Sequence, residues 1–298
     1  MPHSGETADA IPRPQRFADV EGWFWPVDQL LFDWFLRRQN DRERPGDLLE
    51  LGAYMGKSAI FMGRYLREGE RFTVCDLWDS PAVDDPNSAE MNSAYATLTR
   101  RAFEANYLSF HDRLPTMVQA PTSVITSHVG AGSCRFVHVD ASHLYEHVSG
   151  DIAAARELLV PEGIAAFDDF RSEHCPGVAA AVWAAVATVG LKPVVVTSTK
   201  LYGTWGDPEQ VREELLRWLR TRQDLWHAVD QVAGVPLIRI RGTKAKSPAL
   251  PVSRHEPVNG YPSPFGERAS AARRLAKDLV PPVLARAVRS ACRRRRTS

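Results

Sequence analysis

The run Leu48-Leu49-Glu50-Leu51-Gly52-Ala53-Tyr54-Met55-Gly56-Lys57-Ser58 constrains the fold more than any other part of the chain. It reads as a buried strand turning sharply into a helix, with an acid before the turn and two glycines within it. Two later apolar runs also end in acids, at Asp140-Ala141-Ser142-His143 and at Asp168-Asp169. In an open α/β sheet such strand ends share one edge, where ligands bind. The alternation continues along the chain. Strand patterns stand at 48–53, 72–78, 117–119, 135–140, 164–168, 193–199 and 235–240. Helix patterns follow Pro26 and fill 56–67, 94–108, 146–159, 176–189 and 208–222. Such alternation predicts an α/β fold, a mostly parallel seven-stranded sheet with helices on both faces.

The spacing inside the turn bears on its cofactor. A dinucleotide turn needs G-x-G-x-x-G, whose middle glycine lets the backbone approach a pyrophosphate. Tyr54 stands at that position, between Gly52 and Gly56, and disfavours a packed pyrophosphate. A phosphate-free cofactor with an amino-acid tail fits better, and S-adenosylmethionine is the common one. Its ammonium would suit Glu50, and its carboxylate the helix N-terminus and the Ser58 hydroxyl. Twenty residues past Gly56 a second strand pattern ends in Asp76, where one carboxylate can hold both hydroxyls of a ribose. Thr122, past the third strand pattern, is a candidate for the adenine, with a plain turn role as its alternative.

Leu49 to Ala59 resembles the cofactor motif of metal-dependent class I methyltransferases, the catechol O-methyltransferases in particular, over about residues 20 to 205. The resemblance implies a Rossmann-like class I methyltransferase fold. It implies that Asp140, Asp168 and Asp169 bind magnesium or another divalent cation, with Asp140 assigned to cofactor and metal alike. The family's catalytic lysine, three residues after the first aspartate, is replaced here by His143. Asp-x-x-His resembles the branch that methylates sugar hydroxyls on macrolides and glycans. The acceptor implied is a sugar, glycan or glycosylated metabolite, with a catechol-type small molecule as the alternative. A sister group with the same carboxylates has hydroxylase activity, so the motif alone does not fix the reaction.

Methyl transfer from a sulfonium is an in-line displacement that needs an aligned acceptor oxygen and removal of its proton. Three carboxylates are hard ligands of the kind magnesium selects, and coordination would lower the hydroxyl pKa. His143 would then take the proton near neutral pH. Tyr145, Arg171, His174 and the 79–92 loop flank this site as candidate acceptor contacts. Trp23 and Trp25 read as core, or as a lid over the donor. His111, His128, His138 and His147 read as ordinary surface or core histidines.

With 298 residues, 44% of them hydrophobic, the chain can bury the core of one large α/β domain. Its four cysteines are scattered without a C-x-x-C pair, against a zinc site or disulfide framework. Residues 1–14 lack the apolar segment of a secretory signal, and no apolar run approaches the ~18 residues of a membrane span. The expected location is cytoplasmic. The net charge of +1 conceals an asymmetry: beyond Gly242, 13 Lys and Arg face three acids, which leaves −9 on the first 241 residues. The expected organisation is a loose start at 1–14, a methyltransferase domain at 15–242 and a basic linker and tail helix at 243–298. The tail's charge and its Leu275, Leu279 and Val283 pattern fit an anionic membrane surface, with a disordered or partner-packed tail as alternative. Nucleic acid is disfavoured, because no aromatic residue past Phe265 offers a stacking platform. A homo-oligomer is compatible with all of this. Tyr54 argues against NAD-dependent oxidoreduction, and retention of Glu50 with the three carboxylates argues against a non-enzymatic adaptor.

Overall fold

The computed structural model describes residues 11–81, 98–232 and 234–257. Its strands are β1 (Asp47–Leu51), β2 (Phe72–Asp76), β3 (Thr116–Gln119), β4 (Cys134–Val139), β5 (Leu159–Phe167), β6 (Lys192–Val196), β7 (Leu201–Thr204), β8 (Trp226–Val232) and β9 (Val235–Arg241). They form one sheet in the order β3-β2-β1-β4-β5-β7-β6-β9-β8. Strands β1 to β5 pair in parallel, β7 runs antiparallel between β5 and β6, and β8 closes a hairpin on β9. The helices are α1 (Pro26–Asp41), α2 (Lys57–Gly63), α3 (Arg100–Leu108), α4 (Tyr145–Leu158), α5 (Pro176–Thr188) and α6 (Glu209–Arg220).

The sheet has nine strands rather than the expected seven. The pattern at 235–240 is β9, at the far side of the sheet, while β7 and β8 carried no readable signal. β7 is only four residues long and contains Gly203, and β8 is mostly exposed without alternation. The parallel centre was legible because its strands are buried on both faces and read as apolar runs. All six residues of β4 are buried.

Alternation along each strand divides the core in two. Leu48, Val74, Phe136, Ile164 and Tyr202 face a layer that includes α1, α2, α3 and α6. Leu49, Cys75, Val137, Ala165 and Leu201 face α4, α5 and the short 3-10 helix Thr122–Ser127. Helix starts follow ordinary rules: Pro26 and Pro176 occupy first turns, and the Thr99 hydroxyl accepts from Ala102 N at 3.1 Å. α2 ends at Gly63, short of the expected Arg67.

The segment after Gly242 differs from the expected linker as far as Pro257. Ser253 Oγ donates to the Pro14 carbonyl at 2.6 Å, Arg254 N to the Ser109 carbonyl at 2.9 Å, and Arg64 to the Ala249 carbonyl at 2.6 Å. These residues form a strap lying against the α/β domain. The expected tail helix and the acceptor loop at 82–92 lie outside the described residues. Among the described residues no helix is long and apolar enough to cross a membrane.

Candidate active site at the ends of β1, β4 and β5

The chain winds outward from β1 through β2 to β3, then restarts with β4 on the other side of β1. That reversal opens a crevice at the carboxyl ends of β1 and β4, the usual ligand position in open α/β sheets. Backbone bonds hold its rim: Asp140 N donates to the Leu51 carbonyl at 2.7 Å and Asp168 N to the Val139 carbonyl at 2.9 Å. Gly52 has φ +78°, and a Cβ there would overlap the Asp140 carbonyl, so only glycine lets β1 and β4 meet this closely. Gly56 begins α2 at φ +89° with the Phe103 ring against it. Tyr54 also takes a left-handed conformation, φ +48°, in the turn between them.

Asp76 explains how this strained turn is held. Its Oδ2 accepts from Ala53 N at 2.7 Å and Tyr54 N at 3.0 Å, and its Oδ1 accepts from Trp78 N at 2.8 Å. Three of the carboxylate's roughly four acceptor positions are therefore engaged by backbone. The expected ribose contact of Asp76 would have to share these oxygens with the turn. Thr122 opens the 3-10 turn Thr122–Ser127, and its hydroxyl lowers the carboxyl of buried Asp151 of α4, which burial pushes up to about 6.

The donor-facing residues fit S-adenosylmethionine at Glu50. That carboxyl is fully buried, and its Oε2 has no hydrogen-bond partner among the described residues. A buried acceptor in this state calls for a donor, and a ligand ammonium would supply one. Burial pushes the Glu50 carboxyl up to about 8, against the pull of Ser58 and Lys200. Ser58 lies on the first turn of α2, on the same side as Glu50. Above the turn, Trp23 stacks on Tyr54 with ring centres 5.7 Å apart, and Lys57 Nζ donates to the Gly22 carbonyl at 3.0 Å. Trp23 is thus the lid-like one of the pair, 47% exposed, whereas Trp25 packs against the core.

The three expected metal ligands line one recess with His143 but take different partners there. Asp169, at φ +52°, turns toward His143, whose Nε2 lies 3.1 Å from its Oδ2, and accepts a hydrogen bond from the Ser172 hydroxyl. Desolvation raises the Asp169 carboxyl, but His143 and Ser172 outweigh it and hold it at about 2. Asp140 and Asp168 instead lie on the α1 side of the sheet with His138, the ligand atoms of these three within 4.8 Å of one another. Asp168 is bonded there to the ammonium of Lys200, which is 1% exposed. Lys200 Nζ also stands 3.1 Å from His138 Nε2. An ammonium can only donate, so Nε2 accepts and Nδ1 carries the proton it gives to Glu50 Oε1 at 2.7 Å. A fixed positive charge touching two of the three candidate ligand groups repels a divalent cation. Magnesium held by Asp140, Asp168 and Asp169 together does not fit this arrangement.

Three participants lacked a sequence signal strong enough to single them out. Lys200 precedes β7, the strand that was not legible. His138 read as an ordinary core histidine, although β4 pairs it directly with Glu50 of β1. Asp28 sits among the apolar residues of α1, and a charge on that face was the available clue. Its carboxyl accepts from the hydroxyls of Thr197, Thr199 and Tyr202 at 2.9, 2.6 and 2.8 Å. His174 lies edge-on to His143 at 5.9 Å, as a flanking residue should, and Tyr145 at the start of α4 is 45% exposed.

Residues 49–170 match the family model of a methyltransferase domain. No curated protein sequence matches the chain. Among solved structures, CalS11, a TDP-rhamnose 3'-O-methyltransferase of calicheamicin biosynthesis, is 19% identical, with 61% of this chain and 80% of that chain covered at a TM-score of 0.43. The O-methyltransferase NovP is 14% identical over 60% of this chain and 79% of that one, with a TM-score of 0.46. TomG from Streptomyces achromogenes, an O-methyltransferase solved with its methyl donor, is 17% identical over 72% and 77%, with a TM-score of 0.34. At that distance these structures bear on neither acceptor nor metal. The match over residues 49–170 makes that part of the chain similar to a methyltransferase domain, and it takes in the glycine turn at the switch point of the sheet together with Asp140, Asp168 and Asp169.

Proposed function

We propose that this enzyme methylates a hydroxyl oxygen of a sugar, glycan or glycosylated metabolite. The observation that carries this reading is the His143–Asp169 pair just past the carboxyl ends of β4 and β5, with Nε2 and Oδ2 3.1 Å apart. S-adenosylmethionine supplies, when bound, a methyl group on a positively charged sulfur. Glu50 would hold its ammonium, with Ser58 beside it, and the Trp23–Tyr54 stack would cover the turn. His143, its Nε2 against Asp169, is the imidazole that would take the acceptor's proton. Asp169 keeps that ring in one orientation and stabilises the imidazolium once it forms. Asp140 lines the same recess as His143 and would offer acceptor oxygens to neighbouring hydroxyls of a polyol. A sugar suits such a lining because it presents several hydroxyls to one carboxylate-rich wall.

A methyl-transfer assay with labelled donor against a panel of glycans, glycosylated polyketides and catechols tests this reading. Methylation of a sugar hydroxyl that disappears in His143→Ala is the expected result. Transfer to catechols alone would replace the acceptor class. The basic tail beyond residue 257 is the part of the chain that would bring the enzyme to anionic lipid. Salt-sensitive sedimentation of the full chain with anionic liposomes is expected, and no sedimentation at low salt would remove that role.

A further inference from the structure

We propose that Lys200 is the resident cation of this active site, and that its ammonium stands where a divalent metal would otherwise balance Asp140 and Asp168. Methyl transfer then proceeds without a metal ion. The inference rests on the methyl-transfer reading, and it assigns a charge to the site rather than a second reaction.

The geometry supports it from several sides. Lys200 enters from the turn before β7, on the same sheet face as Glu50, His138, Asp140 and Asp168. Its Nζ is bonded to Asp168 and lies 3.1 Å from His138 Nε2. His138 cannot release it cheaply, because its other nitrogen is fixed on Glu50 at 2.7 Å and the ring is fully buried. Nor is the ammonium shared with Asp28 through contact. That carboxyl is satisfied by three hydroxyls, from Thr197, Thr199 and Tyr202. Asp140 and Asp168 are left as one pair of neighbouring carboxyls, with Lys200 as the cation bonded to it.

Lys200 is a positioning residue in this scheme. It fixes Asp168, and through it the rim of the crevice, without touching the reacting atoms. Asp169 is thereby left to His143 instead of to a metal, which accounts for the separation of two adjacent aspartates into different clusters. A lysine charge differs from a bound ion in a testable way: no chelator removes it.

Manganese serves as the probe, because its paramagnetism reports binding without any acceptor. The full-length wild-type enzyme should leave the free Mn2+ resonance unchanged in electron paramagnetic resonance titrations. It should also retain its methyl-transfer rate in excess EDTA. Lys200→Met should acquire one Mn2+ site per chain, whereas Lys200→Arg, which keeps the cation, should acquire none. Tight Mn2+ binding by the wild type, or loss of its activity in EDTA with recovery on adding magnesium, would overturn the proposal. A folded Lys200→Met that still ignores Mn2+ would overturn it equally. If that variant does not fold, the wild-type titration and the Lys200→Arg comparison still decide. Calorimetry with S-adenosylmethionine separates the two readings, since absent donor binding defeats methyl transfer, whereas donor binding alongside tight Mn2+ binding defeats only the lysine's role.

Discussion

Two neighbouring aspartates in this enzyme do different work because one backbone angle turns them apart. Asp168 continues the parity of β5 and meets Lys200, while Asp169, at φ +52°, swings to His143. His143→Ala should bind donor normally but lose turnover by about 10²–10⁴-fold, the usual loss for a general base. Donor calorimetry beside single-turnover rates would check this, and an unchanged rate would remove His143 from proton transfer. Asp169→Asn gives a sharper test. If His143 helps hold the Asp169 carboxyl at about 2, the carboxylate in turn helps keep a proton on the imidazolium. Without it, His143 gives up its proton at lower pH. The acid limb of the kcat/KM profile should therefore move to lower pH while the maximal rate falls. A lower rate with an unmoved limb would mean that Asp169 only shapes the loop.

At the scale of elements, the turn between β1 and α2 depends on a side chain from β2. Asp76 binds Ala53 N, Tyr54 N and Trp78 N, so Asp76→Asn must leave at least one buried donor poorly matched. That variant should lose about 1–3 kcal/mol of stability, the cost of an unsatisfied buried group. Urea unfolding would measure it, and donor affinity should fall as the turn loosens. Wild-type stability would show that the turn holds itself. This turn was legible because glycine spacing and an acid after an apolar strand are local signals. What the sequence does not reveal about Asp76 is that the strained backbone beside it also uses its oxygens. The same limit hid Lys200. A four-residue strand interrupted by Gly203 has too few alternating positions to announce itself, and the lysine before it inherits that silence. His138 shows the opposite case. Its parity on β4 was readable, but its partner depends on the register between β1 and β4, which only the folded sheet supplies.

At the scale of the whole molecule, the carboxyls fall into two groups with opposite consequences for stability. Away from the crevice, burial raises Glu70 but hydrogen bonds from Arg135 and Arg67 outweigh it and hold it down. Stability from Glu70 is therefore present above its unfolded pKa and lost on acidification. Around the crevice the signs reverse, because burial raises Glu50, Asp28, Asp76 and Asp140. For Glu50 the contribution is fully present below the unfolded value of 4.5 and is lost as pH rises through about 8. The donor-free site is thus strained at neutral pH in a way that a cationic ligand relieves. At pH 7 Glu50 is largely protonated, and an ammonium placed against its Oε2 would favour the ionised form. Donor binding should then release a proton from Glu50, and affinity should rise with pH up to about 8 and level off above it. Calorimetry in buffers of different ionisation enthalpy would count the proton directly. Glu50→Gln should bind S-adenosylmethionine more weakly, by about 1–3 kcal/mol for a lost charged hydrogen bond, and with no proton release from this position. A wild-type enzyme whose donor affinity is flat from pH 6 to about 8, the window set by the Glu50 shift, would move the ammonium to some other acceptor.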